Sequence, residues 1–241
     1  MRAMVLLLCW VALGGVARAD EPACPVPDDL AHFNMALPAA QAEIAAQKRL
    51  IILAVGGGSI AGIAAGGAAF TLPSRLQARL RALLPGTDVT VVNRGVPGLP
   101  ARDIAVALGA EIAATDARLV IWAAGGIDAA ARQDIGGFSD SLQTGIDAAH
   151  QAGADVLLID PQYAPSIARI VDLTPYRDAV QGVAAASGIG RLRRYDLMRG
   201  WSEDGVFDFD ASGASDRVAV ARRLFDCLAS VLANGIADAL R

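Results

Sequence analysis

Ser59 follows three consecutive glycines, Gly56 to Gly58, at the end of the aliphatic run Leu50–Val55. A serine oxygen presented at a strand end is a candidate nucleophile for acyl transfer, provided that a base takes its proton and N–H groups hold the oxyanion. Taken alone, "LAVGGGSIAG" also suits a phosphate-cradling loop or a flexible turn. It lacks the G-x-G-x-x-G run into a helix, the Gly-Lys-Ser/Thr of a P-loop and the G-x-S-x-G elbow of α/β-hydrolases. The chain has only two histidines to serve as a base. His32 lies before the first strand, useful only if that segment folds over the site. His150 lies near a helix end leading into the bottom of the next strand, as a surface residue does.

The elements that must position these groups alternate along the chain. "LIILAV" (50–55) reads as a strand covered on both faces, and "VTVVN" (89–93), "RLVIWAAG" (118–125) and "DVLLID" (155–160) read as the strands that follow it. "RLRRYDL" (191–197) reads as a fifth, more polar strand. Between them, residues 72–84, 101–116, 139–154 and 175–187 read as helices, with helices at 38–49 and 214–234 on either side. In the first of the intervening helices, Leu72, Leu76, Leu80 and Leu83 share a stripe, Pro73 suits the first turn, and Pro85-Gly86 ends it. Strand–helix alternation predicts a three-layer α/β/α sandwich, a flavodoxin-like parallel sheet of about five strands. Ligands of such sheets sit outside the carboxyl ends of the strands. The segments to read are therefore "GGGSIAG", "NRGVPGLPARD", "AAGGIDAA" and "DPQYAPS".

Composition narrows the classes. The 241 residues are 54% hydrophobic and carry a formal charge of −4 without a basic block, which excludes nucleic acid as a partner. Arg2, the apolar residues 4–16 and Ala17-Arg18-Ala19 have the layout of a signal peptide cleaved after Ala19. The apolar run is shorter than the ~20 residues of a membrane span, so no span is expected after processing. The expected division is a signal peptide at 1–19, a Pro-rich lead-in at 20–37 and one domain at 38–241, exported to a periplasm or secreted. Cleavage removes Cys9 and leaves Cys24 and Cys227, a disulfide or two separate thiols. "DGVFDFD" (204–210) lacks the spaced oxygens of a calcium loop, and neither a metal nor a cofactor is expected.

Taken together, the post-strand segments resemble the four blocks of the SGNH, or GDSL, hydrolases, over about residues 50–232. Gly57-Gly58-Ser59 matches the Gly-Asp-Ser block, and Asn93-Arg94-Gly95-Val96-Pro97-Gly98 the Asn-Arg-Gly-x-x-Gly-like loop. Trp122–Asp128 matches Trp-x-x-Gly-x-Asn-Asp, and Asp210-Ala211-Ser212-Gly213 matches Asp-x-x-His. The resemblance implies Ser59 as nucleophile, Gly95 N–H in the oxyanion hole and Asp210 as the orienter of a histidine. Three positions depart from the pattern: Gly58 replaces the first-block aspartate, Ile127 the oxyanion asparagine and Gly213 the histidine. A lost oxyanion donor costs about 10²–10³ in rate.

Gly58, Asn93, Gly126, Ile127, Gln162 and Tyr163 are the candidate binding residues, the last two as the wall of a sugar or acyl pocket or as a capped loop. "RRYDLMRGW" (193–201) suits an anion-binding or carbohydrate-stacking rim, or a core position for Met198 and Trp201. Two functions follow. One is ester hydrolysis or acyl transfer on acylated carbohydrate or small esters, weak or lost. The other is a pseudoenzyme that binds a glycan or an envelope-protein partner in an exopolysaccharide or envelope system. The group beside Ser59 Oγ discriminates: a histidine or buried carboxylate within about 3.2 Å marks catalysis, whereas Ile127 and bare glycine mark binding.

Overall fold

The computed structural model describes residues 24–33 and 35–241. The expected signal peptide lies outside the described residues. Among these, no helix is long and apolar enough to cross a membrane.

Five parallel strands form one sheet in the order β2-β1-β3-β4-β5: β1 (Arg49–Gly56), β2 (Asp88–Gly95), β3 (Leu119–Ala123), β4 (Asp155–Ile159) and β5 (Gly190–Leu192). The apolar run in β1 follows from its two buried faces. Leu50, Ile52 and Ala54 join one hydrophobic cluster, and Leu53 and Val55 join the other.

The lead-in carries the short α1 (Asp28–Ala31) and then α2 (Pro38–Gln47), which starts on a proline and has its first N–H groups capped from a distance. Asp155, at the start of β4, accepts from Ala40 N–H at 2.9 Å and Ala39 N–H at 3.3 Å. Leu30, Phe33 and Leu37 are buried in the core on that side, so the lead-in packs as part of the domain. A disulfide joins Cys24 to Cys227, with Cα atoms 5.8 Å apart.

After β1 come the one-turn α3 (Gly58–Ala61), two 3₁₀ turns and α4 (Leu72–Leu83). Thr71 caps α4 by accepting from Ser74 N–H, and Pro73 stands in its first turn. Its buried stripe is Leu72, Leu76 and Leu80, whereas Leu83, the last residue of the helix, is exposed, correcting the four-leucine stripe.

The opposite face is covered by α5 (Ala101–Thr115), α7 (Ile135–Gln151) and α9 (Thr174–Ser187), with α6 (Gly126–Ala130) and α8 (Pro165–Ala168) as short turns between them. The chain then forms α10 (Arg194–Glu203) and α11 (Ala214–Ala239), and α11 packs against α4.

The expected strand 191–197 is corrected. β5 ends at Leu192, and Arg194, Leu197, Met198 and Trp201 are the buried stripe of α10, spaced three, one and three apart. Met198 and Trp201 are core residues, and Trp201 Nε1–H donates to Pro25 C=O at 2.6 Å, holding the lead-in.

Candidate functional site

A cavity of about 580 Å³ opens at the carboxyl ends of β1, β3 and β4. Its wall includes Gly58, Ser59, Gly126, Ile127 and Gln162, and most of the remainder is apolar: Leu99, Ile104, Trp122, Ile167, Leu173 and Phe225 among others. The structure thus brings together five of the nine catalytic and binding positions singled out from sequence.

The other four take different places. Asn93 anchors α3 to β2: its Nδ2–H donates to Ile60 C=O at 2.9 Å, and its Oδ1 accepts from Gly95 N–H at 2.9 Å. The N–H that the resemblance assigns to an oxyanion hole therefore already serves Asn93. Gly95 is required by packing, because a Cβ there would lie 2.2 Å from Ala61 N in the backbone of the helix carrying Ser59. Tyr163 stacks edge-on with Tyr195, ring centroids 5.2 Å apart. Asp210 is exposed and faces Arg169 at 3.7 Å. The histidines stand apart as well: His32 and His150 are both exposed, the latter in the last turn of α7.

The group beside Ser59 is a cation. Arg194, 4% exposed, donates from Nη1 to Ser59 Oγ at 3.0 Å and from Nε to the main-chain oxygen of Asp160 at 2.9 Å. Burial pulls the guanidinium pKa down to about 10, opposed by the charge of Asp160, and at neutral pH it remains protonated. Asp160, fully buried after β4, accepts from Arg191 Nη1 at 3.0 Å and from Tyr195 N–H at 2.9 Å. Burial pushes its carboxyl up to about 6, against the pull of Tyr195 N–H and Arg191. Asp128, the other acid in the cavity wall, has one oxygen on Ala101 N–H at 2.9 Å and the other on Gly125 N–H at 3.2 Å. It ties the N-terminus of α5 to the loop after β3.

Chemically, a protonated guanidinium has no lone pair to take a proton from serine. Ile127 offers no donor where the family places asparagine, and its Cγ1 lies 3.3 Å from the position of a Cβ on Gly57. The site can hold an apolar group beside one fixed positive charge. Sequence reasoning had Arg194 only as part of an anion-binding or stacking rim at 193–201, and it missed the pairing with Ser59 because it placed the arginine inside a strand. The available signal was two adjacent arginines directly after the last strand, at the sheet edge where ligands bind.

The parallel sheet, its helical layers and the serine after β1 define an SGNH-type α/β/α fold. A family model for the non-GDSL lipase-like family matches residues 23–241, and the chain belongs to that family. Among solved structures, the chain is similar to TesA, with a TM-score of 0.59 and 23% identity over 76% of this chain and 97% of that one. It is similar to the lipase/acylhydrolase from Enterococcus faecalis, with a TM-score of 0.60 and 23% identity over 78% and 96%. It is also similar to Axe2, an acetyl-xylooligosaccharide esterase from Geobacillus stearothermophilus, with a TM-score of 0.61 and 15% identity over 77% and 94%. At these identities the likeness is one of fold. No curated protein matches the chain.

Proposed function

We propose that this chain is an exported pseudoenzyme of the esterase-like fold, which binds the acyl part of its ligand without hydrolysing it. The hydrogen bond from Arg194 to Ser59 Oγ carries this reading. A nucleophilic serine donates its proton to a base, whereas here the serine oxygen accepts from a cation. The neighbours of this fold named as an acetyl-xylooligosaccharide esterase and a lipase/acylhydrolase point to acylated carbohydrate or a small ester as the ligand class, and an envelope or exopolysaccharide system, with an envelope protein as partner, is the setting. Export is supported by the signal-peptide layout of residues 1–19 and by the Cys24–Cys227 bond, which suits an oxidising compartment.

The test is release of p-nitrophenol from its acetate and butyrate esters by the protein lacking residues 1–19, beside Ser59→Ala. The expected result is equal rates for the two, within twofold of a buffer blank. Turnover that disappears in Ser59→Ala overturns the reading and restores ester hydrolysis.

A further inference from the structure

Arg194 is a buried charge whose hydrogen bonds go to neutral oxygens, the Ser59 hydroxyl and the Asp160 main chain. Among the described residues, no carboxylate pairs with it directly. The Asp160 carboxylate is taken up by Arg191 and Tyr195 N–H, and the Asp128 carboxylate by two backbone N–H groups. The guanidiniums of Arg191 and Arg194 thus both lie within reach of the Asp160 charge, and of the two only Arg194 lines the cavity, at the end where Ser59 stands. Isolated buried charge is strongly disfavoured unless it is paired and hydrogen-bonded. The Ser59 hydroxyl accepts from Arg194 and, among the described residues, meets no acceptor for its own proton. Away from this end the wall is aliphatic, with Leu99, Ile104, Ile127 and Leu173, and Ile63 and Ile170 extend the apolar surface outward, 66% and 80% exposed.

We propose that the cavity binds the free acid of a medium-chain acyl group, with its carboxylate on Arg194 and the Ser59 O–H and its tail along the aliphatic wall. A single cation with one hydroxyl matches a single negative charge. A dianionic phosphate asks for more donors, and a glycan for more polar partners than this wall offers. The cavity volume of about 580 Å³ falls within the range of small-molecule sites. The inference rests on the reading of the site as binding rather than hydrolytic, and it replaces the ester by the acid as the preferred ligand.

Calorimetric titration of the disulfide-intact protein with decanoate, octanoate and decanamide at pH 7.5 tests it. Decanamide keeps the shape and removes the charge, and it resists esterase chemistry. Decanoate is expected to bind at least tenfold more tightly than decanamide, and octanoate more weakly than decanoate by about fourfold per methylene lost. Arg194→Gln should abolish the preference for acid over amide. Ser59→Ala, which leaves the buried guanidinium in place, should weaken decanoate by about five- to tenfold and octanoate alike. Should Arg194→Gln not fold, Ser59→Ala and the wild-type acid-to-amide ratio decide. Equal binding of acid and amide, binding of neither, or an unchanged preference in a folded Arg194→Gln overturns the inference. Failure here and failure of the functional reading are separable. Ser59-dependent ester hydrolysis sinks the latter whatever decanoate does, while a silent protein indifferent to charge sinks only the former.

Discussion

Arg194 Nη1 lies 3.0 Å from Ser59 Oγ and donates to it, so the residue beside the serine is a permanent donor. Serine-directed reagents depend on the nucleophilicity that such a partner does not provide. A fluorophosphonate probe is therefore expected to leave Ser59 unlabelled during the time in which it saturates an active serine esterase. Mass spectrometry of the intact protein reads this directly, and a stoichiometric adduct on Ser59 would show that a base reaches it.

Restoring the missing histidine alone is not expected to restore turnover. Gly213 stands at the N-cap of α11, where an added Cβ would lie 2.5 Å from Asp216 Oδ2, and Asp210, its family partner, is turned to Arg169 on the surface. Gly213→His should give p-nitrophenyl acetate rates within twofold of wild type. A gain of a hundredfold or more would mean that Arg194 yields Ser59 readily.

Asp160 gives the fold a pH dependence of defined sign. Its carboxyl is raised from 3.8 to about 6 by burial, so between those values the folded chain keeps a proton that the unfolded chain has lost. Stability then falls as pH rises from about 4 to 6, by roughly 3 kcal/mol at 1.36 kcal/mol per unit. Asp160→Asn removes this slope. Urea unfolding of both proteins at pH 4, 5, 6 and 7 checks it: the advantage of wild type over the variant should shrink on going up, and parallel curves would exclude the effect.

Two glycines make a paired test of packing. Gly95→Ala forces a methyl against the backbone of α3, 2.2 Å from Ala61 N, and should cost about 2–3 kcal/mol. Gly182→Ala, on the exposed side of α9 with open space around it, should stabilise by about 0.5–1 kcal/mol. Chemical denaturation of the two variants reads both signs at once.

The Cys24–Cys227 bond closes a loop of 203 residues, and removing it should cost about 2–5 kcal/mol. Cys24→Ser and reduced wild type should melt together, below the oxidised protein. Equal melting of all three would show that the lead-in holds on without the crosslink, through Leu30, Phe33 and Leu37 and the Trp201–Pro25 hydrogen bond.

Much of the architecture was legible in the sequence because β1, β3 and β4 are buried on both faces, which leaves continuous aliphatic runs that few other structures produce. β5 was not, because it has three residues and the next buried position is filled by an arginine. With Arg194 scored as polar, the helical spacing to Leu197, Met198 and Trp201 was hidden. The serine and the glycine-rich loops were visible as motifs. What they touch was not, since the partner of Ser59 lies 135 residues away, on an element misread as a strand. Asn93 shows the same limit: its type suggested a ligand contact, and its two bonds to Ile60 and Gly95 serve the backbone.

The separation of the two cysteines also sets an order of events. Synthesis runs from Cys24 toward Cys227, and the second cysteine lies in α11, well past the last strand, β5, which ends at Leu192. The bond therefore closes only after every strand of the sheet has been made. Until then Cys24 is a waiting thiol, and the crosslink records completion of the sheet rather than guiding its early folding.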